Sequence, residues 1–325
     1  VTLSLKSADI GNPTTLDITK SDTAASNAIK SFVGAYNELV STLNSLTEYN
    51  VDTEQASALT GDTTTISMLS QIRREMGNLI TGLSGPYTSL YQIGINTQRD
   101  GTLTIDDSVL SSALSSNLQS VAQLFTASGT PTDTDVTYLN ASANTQPGRY
   151  SVFISSLATQ GQLSGDAILE PITVDGSNET ISITVNSVPV SITLNQGSYT
   201  GTELAQELQN RINANSTLQL AGASVSVSFD TDHLEINSNT YGSNSKVTVS
   251  SDYADFGLNT SSTMNTGTDV VGSIGGLPAK GEGQNLTGTG DAAGLKLLIT
   301  GTDIGESGSV NYSLGYAANL TNLLT

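Results

Sequence analysis

The chain has 325 residues, of which 11 are basic and 30 acidic, and its formal net charge is −19. An acidic chain of this kind is a poor partner for nucleic acid or for an anionic membrane surface, because both are bound through basic patches. It contains no Cys and one His, which excludes disulfide scaffolds, thiolate metal sites and Cys nucleophiles. No apolar run approaches the roughly 20 residues of a membrane-spanning helix, so we expect no membrane insertion.

Residues 1–20 open on a pattern of alternating apolar and polar residues. The runs VTLSL and TTLDIT each alternate, and Gly11-Asn12-Pro13 separates them. Period-two alternation bounded by turn residues predicts two strands. We interpret them as strands that link the chain to a β region.

A long helix is predicted from Thr23 to about Tyr49, with Asp22 or Thr23 as its cap. Its apolar residues follow alternating steps of four and three, which is a heptad pattern typical of helix-to-helix packing. The heptad positions are Ala25, Ile29, Phe32, Tyr36, Leu39, Leu43 and Leu46. We predict that the last six of these form either an internal bundle core or a contact with another subunit.

Two further amphipathic helices are predicted before residue 126. One follows Asp62 and runs through TTTISMLSQIRREMGNLITGL, and the other begins at Asp106 or Asp107. A hairpin is predicted at DGTLTID, residues 100–106. Together with the first helix they give a helical core domain of residues 21–126.

The composition changes after residue 126. Residues 127–148 are rich in Ser, Thr, Asp and Asn, which favours a linker or a long surface loop. Residues 149–270 alternate with period two and are interrupted by one helical pattern at 202–214, as expected for a β-rich antiparallel head domain. Residues 271–325 are interpreted as closing strands and the start of a C-terminal helix. The predicted fold class is therefore α+β multidomain, a helical bundle with β-rich head domains.

Few residues suggest chemistry. His233 lies in DTDHLEIN beside two aspartates, but no nucleophile accompanies it, and a turn entering a strand explains it better. The alternating carboxylates of 133–135 and 230–232 lack the Gly and the distal Glu of a calcium loop. The Gly-x-Gly runs at 281–283 and 288–290 are interpreted as turns. We expect no catalytic residue, no cofactor and no metal, hence no enzyme.

Several phrases occur in an order that resembles a known family. IKSFVGAYNELVSTLNSLTEYN, ALTGD, IGINTQRDGTLTIDDSVLSSAL and VAQLF resemble the C-terminal half of the flagellar filament cap protein family, hook-associated protein 2, over residues 1–126. GRYSVFISSLATQGQL at 148–163 resembles a module shared by flagellins and cap proteins. A long intervening stretch separates Phe125 from Gly315, and we interpret it as one or two inserted head domains.

The resemblance implies a secreted, extracellular structural protein at the tip of the bacterial flagellum. Members form a small homo-oligomeric ring that promotes flagellin insertion, and their partners are other copies, flagellin and hook–filament junction proteins. It also implies terminal coiled segments, which we expect this chain to lack as a fragment. Two alternatives stay open: a flagellin-like filament subunit, and a surface adhesin binding mucin or glycans, for which Tyr199 and Tyr241 are the only hint.

Overall fold

The computed structural model describes residues 22–50, 54–83 and 85–324. The strands predicted within residues 1–20 lie outside the described residues. The chain divides into two compact units: the first holds the described residues up to Ile80 together with Gly85–Thr126 and the residues from Leu314 on, and the second holds Thr81–Ser84 and Ala127–Ser313. No helix in the described ranges has both the length and the apolar character that crossing a membrane demands.

The described residues combine α-helices with short strands, and every strand pair is antiparallel. The helices are α1 (Asp22–Thr47), α2 (Thr63–Gly77), α3 (Asp107–Phe125), α4 (Gly201–Ala214), α5 (Ser216–Leu220) and α6 (Tyr316–Leu324). The first eleven strands are β1 (Tyr49–Asn50), β2 (Gln55–Ala56), β3 (Ile95–Thr97), β4 (Leu103–Ile105), β5 (Ser128–Pro131), β6 (Val136–Asn140), β7 (Gly148–Ser156), β8 (Gln160–Ser164), β9 (Ile172–Val174), β10 (Thr180–Val185) and β11 (Val188–Thr193). The others are β12 (Gly197–Tyr199), β13 (Val225–Asp230), β14 (His233–Tyr241), β15 (Val247–Val249), β16 (Thr263–Asn265), β17 (Val271–Ile274), β18 (Leu277–Pro278), β19 (Lys280–Glu282), β20 (Asn285–Thr287), β21 (Lys296–Ile299) and β22 (Gly305–Ser313). The predicted α+β class is confirmed.

Aspartate caps fix where two helices of the first unit begin. The Asp62 carboxylate accepts the amide N–H of Thr65 at 2.7 Å, and this bond starts α2. The Asp106 carboxylate accepts the amides of Ser108 and Val109 at 3.0 and 3.2 Å, and starts α3. Each cap satisfies amides that have no partner within the helix. α2 ends at Gly77 rather than near residue 83, because Asn78 has extended backbone.

The buried face of α1 differs from the predicted heptad line. Its buried residues are Ile29, Val33, Tyr36 and Val40, whereas the remaining heptad positions are half-buried. α1 packs against several elements of the unit, namely α2, α3 and β4. A helix with several partners buries a broad stripe instead of the narrow seam of a two-stranded coil.

The second unit is built from antiparallel sheets. Its larger sheets have the strand orders β18-β17-β7-β22-β5, β19-β20-β21-β6 and β13-β14-β8-β16. Residues 127–148 are not simply a linker, because they include β5 and β6. Those strands pair with β22 and β21, whose residues lie far along the chain.

A helix packs on the sheets of this unit at the place where the sequence predicts one. α4 lies on β13 and buries Leu204, Leu208 and Ile212 completely or nearly so. Thr200 and Glu203 form a reciprocal capping box at its start. The short helix α5 that follows is not predicted by the sequence pattern.

Candidate contact site on the helical unit

Two asparagines one heptad apart fix one side of α1 to the β3–β4 hairpin. The Asn37 side-chain amide donates to the Leu103 carbonyl at 2.8 Å, and its oxygen accepts the Leu103 N–H at 2.7 Å. Asn44 donates to the Asp100 carbonyl at 3.0 Å. These bonds satisfy the backbone groups of Leu103 and the carbonyl of Asp100, which the two short strands of the hairpin leave without a partner.

Arg73 of α2 fastens the same turn from the other side. Its guanidinium donates to the Asn44 side-chain oxygen at 2.9 Å and to the Asp100 carbonyl at 2.6 Å. The guanidinium lies directly over Gly101, where an added Cβ would come within 2.1 Å of Arg73 Nε. That Nε is buried and has no hydrogen-bond partner among the described residues.

Tyr36 completes this network from within the core. Its hydroxyl donates to the Gly101 carbonyl at 3.0 Å. Burial raises the pKa of Tyr36, and the nearby Arg73 charge opposes that rise in part. The tyrosine is therefore a neutral hydrogen-bond donor, and its role is structural.

A separate apolar groove of about 280 Å³ opens between the start of α1, the end of α3 and the start of α6. The Phe32 and Phe125 rings meet edge to face with centroids 5.5 Å apart, and the Tyr316 ring lies 6.5 Å from that of Phe125. The residues that line it are apolar except for one threonine: Ala25, Ala28, Ile29, Phe32, Leu114, Leu118, Val121, Ala122, Phe125, Thr126 and Ala317. Such a groove can receive apolar side chains, and the alanines leave room for another helix to approach.

The half-buried heptad residues continue this surface along α1. At about 100° per residue, Phe32, Leu39, Leu43 and Leu46 lie on the same side of the buried stripe, and all four are half-buried. The structure brings Ile29 and Phe32 into the groove, whereas Tyr36 is buried against Gly101. We call the four-residue surface the α1 flank.

The residues considered for catalysis or metal binding lie in ordinary turns and strand ends. His233 is half-buried at the start of β14, with Nδ1 3.2 Å from an Asp232 oxygen and Nε2 3.8 Å from a Glu235 oxygen. Asp133 accepts the Asp135 amide at 2.9 Å within its own turn. In the described part of the chain, no three His, Asp or Glu side chains are grouped so that they could hold a metal ion.

A match to a known protein family shows which family the chain belongs to. The model of the family described as flagellar hook-associated protein 2 C-terminus matches residues 1–164, just over half of the 325 residues. The chain belongs to this family. The match includes α1, α2 and α3 and ends with β8.

Individual hook-associated proteins 2 agree with the family match. The protein of Salmonella typhimurium strain LT2 is 38% identical over 127 residues, covering 36% of this chain and 26% of that protein. The A-type protein of Pseudomonas aeruginosa is 36% identical over 131 residues, covering 39% and 27%. The chain thus spans about a quarter of the length of these curated relatives.

Solved structures of flagellar cap proteins also resemble the chain. The D1–D2–D3 domains of FliD from Escherichia coli align with a TM-score of 0.40 at 17% identity, covering 62% of this chain and 61% of that one. FliD from Pseudomonas aeruginosa PAO1 aligns with a TM-score of 0.34 at 16% identity, covering 52% and 78%.

For this member of the hook-associated protein 2 family, sequence reasoning missed the polar residues of the helical unit. Asn37, Asn44 and Arg73 are absent from the predicted site, although the first two are one heptad apart and both face the hairpin. That spacing of two amides on one helix face was the available signal. The contribution of Ala317 to the groove depends on tertiary packing and carries no local signal.

Proposed function

We propose that this chain is a structural assembly protein of the flagellar filament cap. It forms part of a small homo-oligomeric ring at the filament tip and promotes the insertion of flagellin. The observation that carries this proposal is membership of the hook-associated protein 2 family over residues 1–164. It acts outside the cell as a non-enzymatic protein, and its partners are other copies, flagellin and hook–filament junction proteins.

The helical unit supplies the contact between copies in this proposal. The groove and the α1 flank support it, because the half-buried residues Phe32, Leu39, Leu43 and Leu46 leave apolar surface at the edge of the unit. Helix-to-helix interfaces are commonly formed by leucines that lie in line along one side of a helix. The second unit then forms the head.

Gene deletion in the source bacterium tests the function. A strain without this protein is expected to release flagellin into the medium and to carry short filaments or none, and re-expression of the full-length protein is expected to restore them. Normal filaments on the deletion strain would contradict the proposal. Long continuous polymers of the purified full-length protein, seen by electron microscopy in place of small closed rings, would favour the flagellin-like alternative.

A further inference from the structure

One sheet of the second unit carries an exposed aromatic side chain on its outward face. β7 is the middle strand of the sheet β18-β17-β7-β22-β5, and its residues Val152 and Ile154 are buried. Successive side chains of a strand point to opposite faces of the sheet. Phe153 therefore points away from the core, and it is 44% exposed.

The register of the strands gives Phe153 apolar neighbours on this face. Ser273 of β17 is opposite Phe153, and Pro278 of β18 is opposite Ser273 in turn. Val271 precedes Ser273 by two residues, so it shares the outward face, and it is 54% exposed. We call the surface formed by Phe153, Val271 and Pro278 the head patch.

The sheet that carries the head patch has no net charge. Its five strands contain one basic residue, Arg149, and one acidic residue, Glu306, although the whole chain has a net charge of −19. Two copies of so acidic a chain repel each other over most of their surface. The head patch is a place where they can meet without that repulsion, and an aromatic side chain among few charges is typical of an interface core.

The two charges make this face complementary to itself. Arg149 precedes Phe153 by four residues, which is about 13 Å along β7, and Glu306 of β22 is opposite Phe153. Arg149 Nε donates to Ser309 Oγ at 2.9 Å, which directs the guanidinium along the face.

A two-fold axis that crosses β7 midway between Arg149 and Phe153 brings these groups together in pairs. Two sheets packed face to face about this axis place Arg149 of each copy over Phe153 and Glu306 of the other. A cation–ring contact and an ion pair then form twice. The sequence of one sheet face therefore supplies both halves of the contact.

We propose that the head patch pairs two copies of this chain face to face, with Phe153 in the middle of the contact and Arg149 against Glu306 on both sides of it. A strongly charged partner finds one carboxylate and one guanidinium on this face, whereas a second copy supplies the opposite charge to each. A two-fold contact joins two copies and does not repeat around a ring. It is independent of the contact proposed for the helical unit, and either can fail without the other.

Sedimentation equilibrium of the 325-residue chain between about 10 µM and 1 mM tests the pairing. All chains carry Ala28→Glu, so that the groove of the helical unit does not contribute. This background chain is expected to reach a monomer–dimer equilibrium. Phe153→Ser is expected to weaken dimerisation at least about tenfold, and the fold is retained because the side chain it removes is on the outward face.

Leu169→Ser is the matched control. Leu169 is 92% exposed in the segment between β8 and β9 of the same unit, so the variant removes more exposed apolar surface outside the head patch. It is expected to dimerise like the background chain.

Charge reversal tests the complementarity separately. Arg149→Glu places two carboxylates on the face and Glu306→Arg places two guanidinium groups there, so each variant alone is expected to stay monomeric. An equimolar mixture of the two is expected to dimerise, because every charge then meets its opposite.

The proposal is overturned if the background chain is monomeric at 1 mM. It is equally overturned if Leu169→Ser weakens dimerisation as much as Phe153→Ser does, or if the mixed charge variants associate no better than each alone. Monomeric copies that retain flagellin through Phe153 would assign the face to flagellin and would also overturn the pairing.

Discussion

The Asn37 side chain makes two hydrogen bonds to the backbone of Leu103, donating to its carbonyl at 2.8 Å and accepting its N–H at 2.7 Å. The two residues are 66 positions apart in sequence. This one amide ties the middle of α1 to β4 and sets the register between them. The pairing replaces the ladder bonds that a neighbouring strand would make.

Asn37→Ala is expected to destabilise the helical unit by about 2 kcal/mol, because both backbone groups of the buried Leu103 lose their partner. Hydrogen exchange at the Leu103 amide, measured by NMR, should accelerate in proportion. Asn27→Ala makes the same change at an exposed position of α1 and should leave that exchange unaltered. Equal exchange rates in the two variants would show that the two hydrogen bonds of Asn37 do not stabilise the unit.

Gly101→Ala is expected to destabilise the unit more than Gly61→Ala, by at least about 1 kcal/mol. Both glycines have left-handed backbone, with φ of +88° and +80°, so both variants carry similar backbone strain. A Cβ at residue 61 meets nothing within 4 Å, whereas one at residue 101 displaces Arg73 from Asn44 and Asp100. Urea unfolding of both variants measures the difference, and equal midpoints would contradict the role given to Arg73.

Ala28→Glu is expected to weaken assembly of the full-length protein and to leave its folding intact. Ala28 lines the groove yet is exposed, so a carboxylate there stays solvated in the free chain but opposes an apolar partner. Asn27→Glu adds the same charge next to it, pointing away from the groove. Sedimentation velocity gives the ring fraction, and unchanged assembly of Ala28→Glu would remove the groove from the interface.

Leu39→Asp is expected to lower both the melting temperature and the ring fraction. Leu39 is half-buried on the α1 flank, so a carboxylate there loses hydration when the unit folds and again when another copy covers the flank. Ser41→Asp is the control, since Ser41 is exposed on another face of the same helix. Thermal melting and sedimentation of the full-length protein are the measurements. A Leu39→Asp variant that melts and assembles like Ser41→Asp would show that the α1 flank contributes neither to folding nor to assembly.

Acid is expected to destabilise α3 through its cap. The Ser108 hydroxyl and the Val109 amide donate to Asp106 and hold the pKa of its carboxyl below the ordinary value. Because the folded pKa is the lower one, this stabilisation is complete above the ordinary Asp value of about 3.9 and is lost as the pH falls through the folded value. Asp106→Asn keeps a capping side chain that does not titrate.

The measurement is the melting temperature of parent and Asp106→Asn from pH 7 to pH 2. The two are expected to melt alike near neutral pH, and the parent is expected to lose more on acidification. A steeper acid loss in the variant would reverse the assigned direction.

The sequence predicts local elements of this chain well and distant pairings poorly. The spacing of Ile29 and Tyr36 marks α1, and aspartates mark the starts of α2 and α3, because caps and periodicity are local properties. β5 was missed since its Ser-Gly-Thr-Pro run becomes a strand by pairing with β22, nearly two hundred residues away. No local pattern encodes such a partner.

The sequence also predicts some features of the candidate contact site and not others. Heptad spacing indicates Ile29 and Phe32, and both line the groove. It does not separate Val33 and Val40, which are buried, from Leu39 and Leu43, which are half-buried. That distinction depends on how many elements surround α1, and the sequence of the helix does not contain this information.

The two strands that open and close the second unit lie side by side, since Ser128 pairs with Ser313. Within the first unit, Gly315 lies so close to the backbone of Phe125 that no side chain would fit between them. Departure and return points of the intervening polypeptide are thus near neighbours. Because its two ends are close together, such an insertion can be exchanged, enlarged or shortened during evolution without changing the helical domain that carries it.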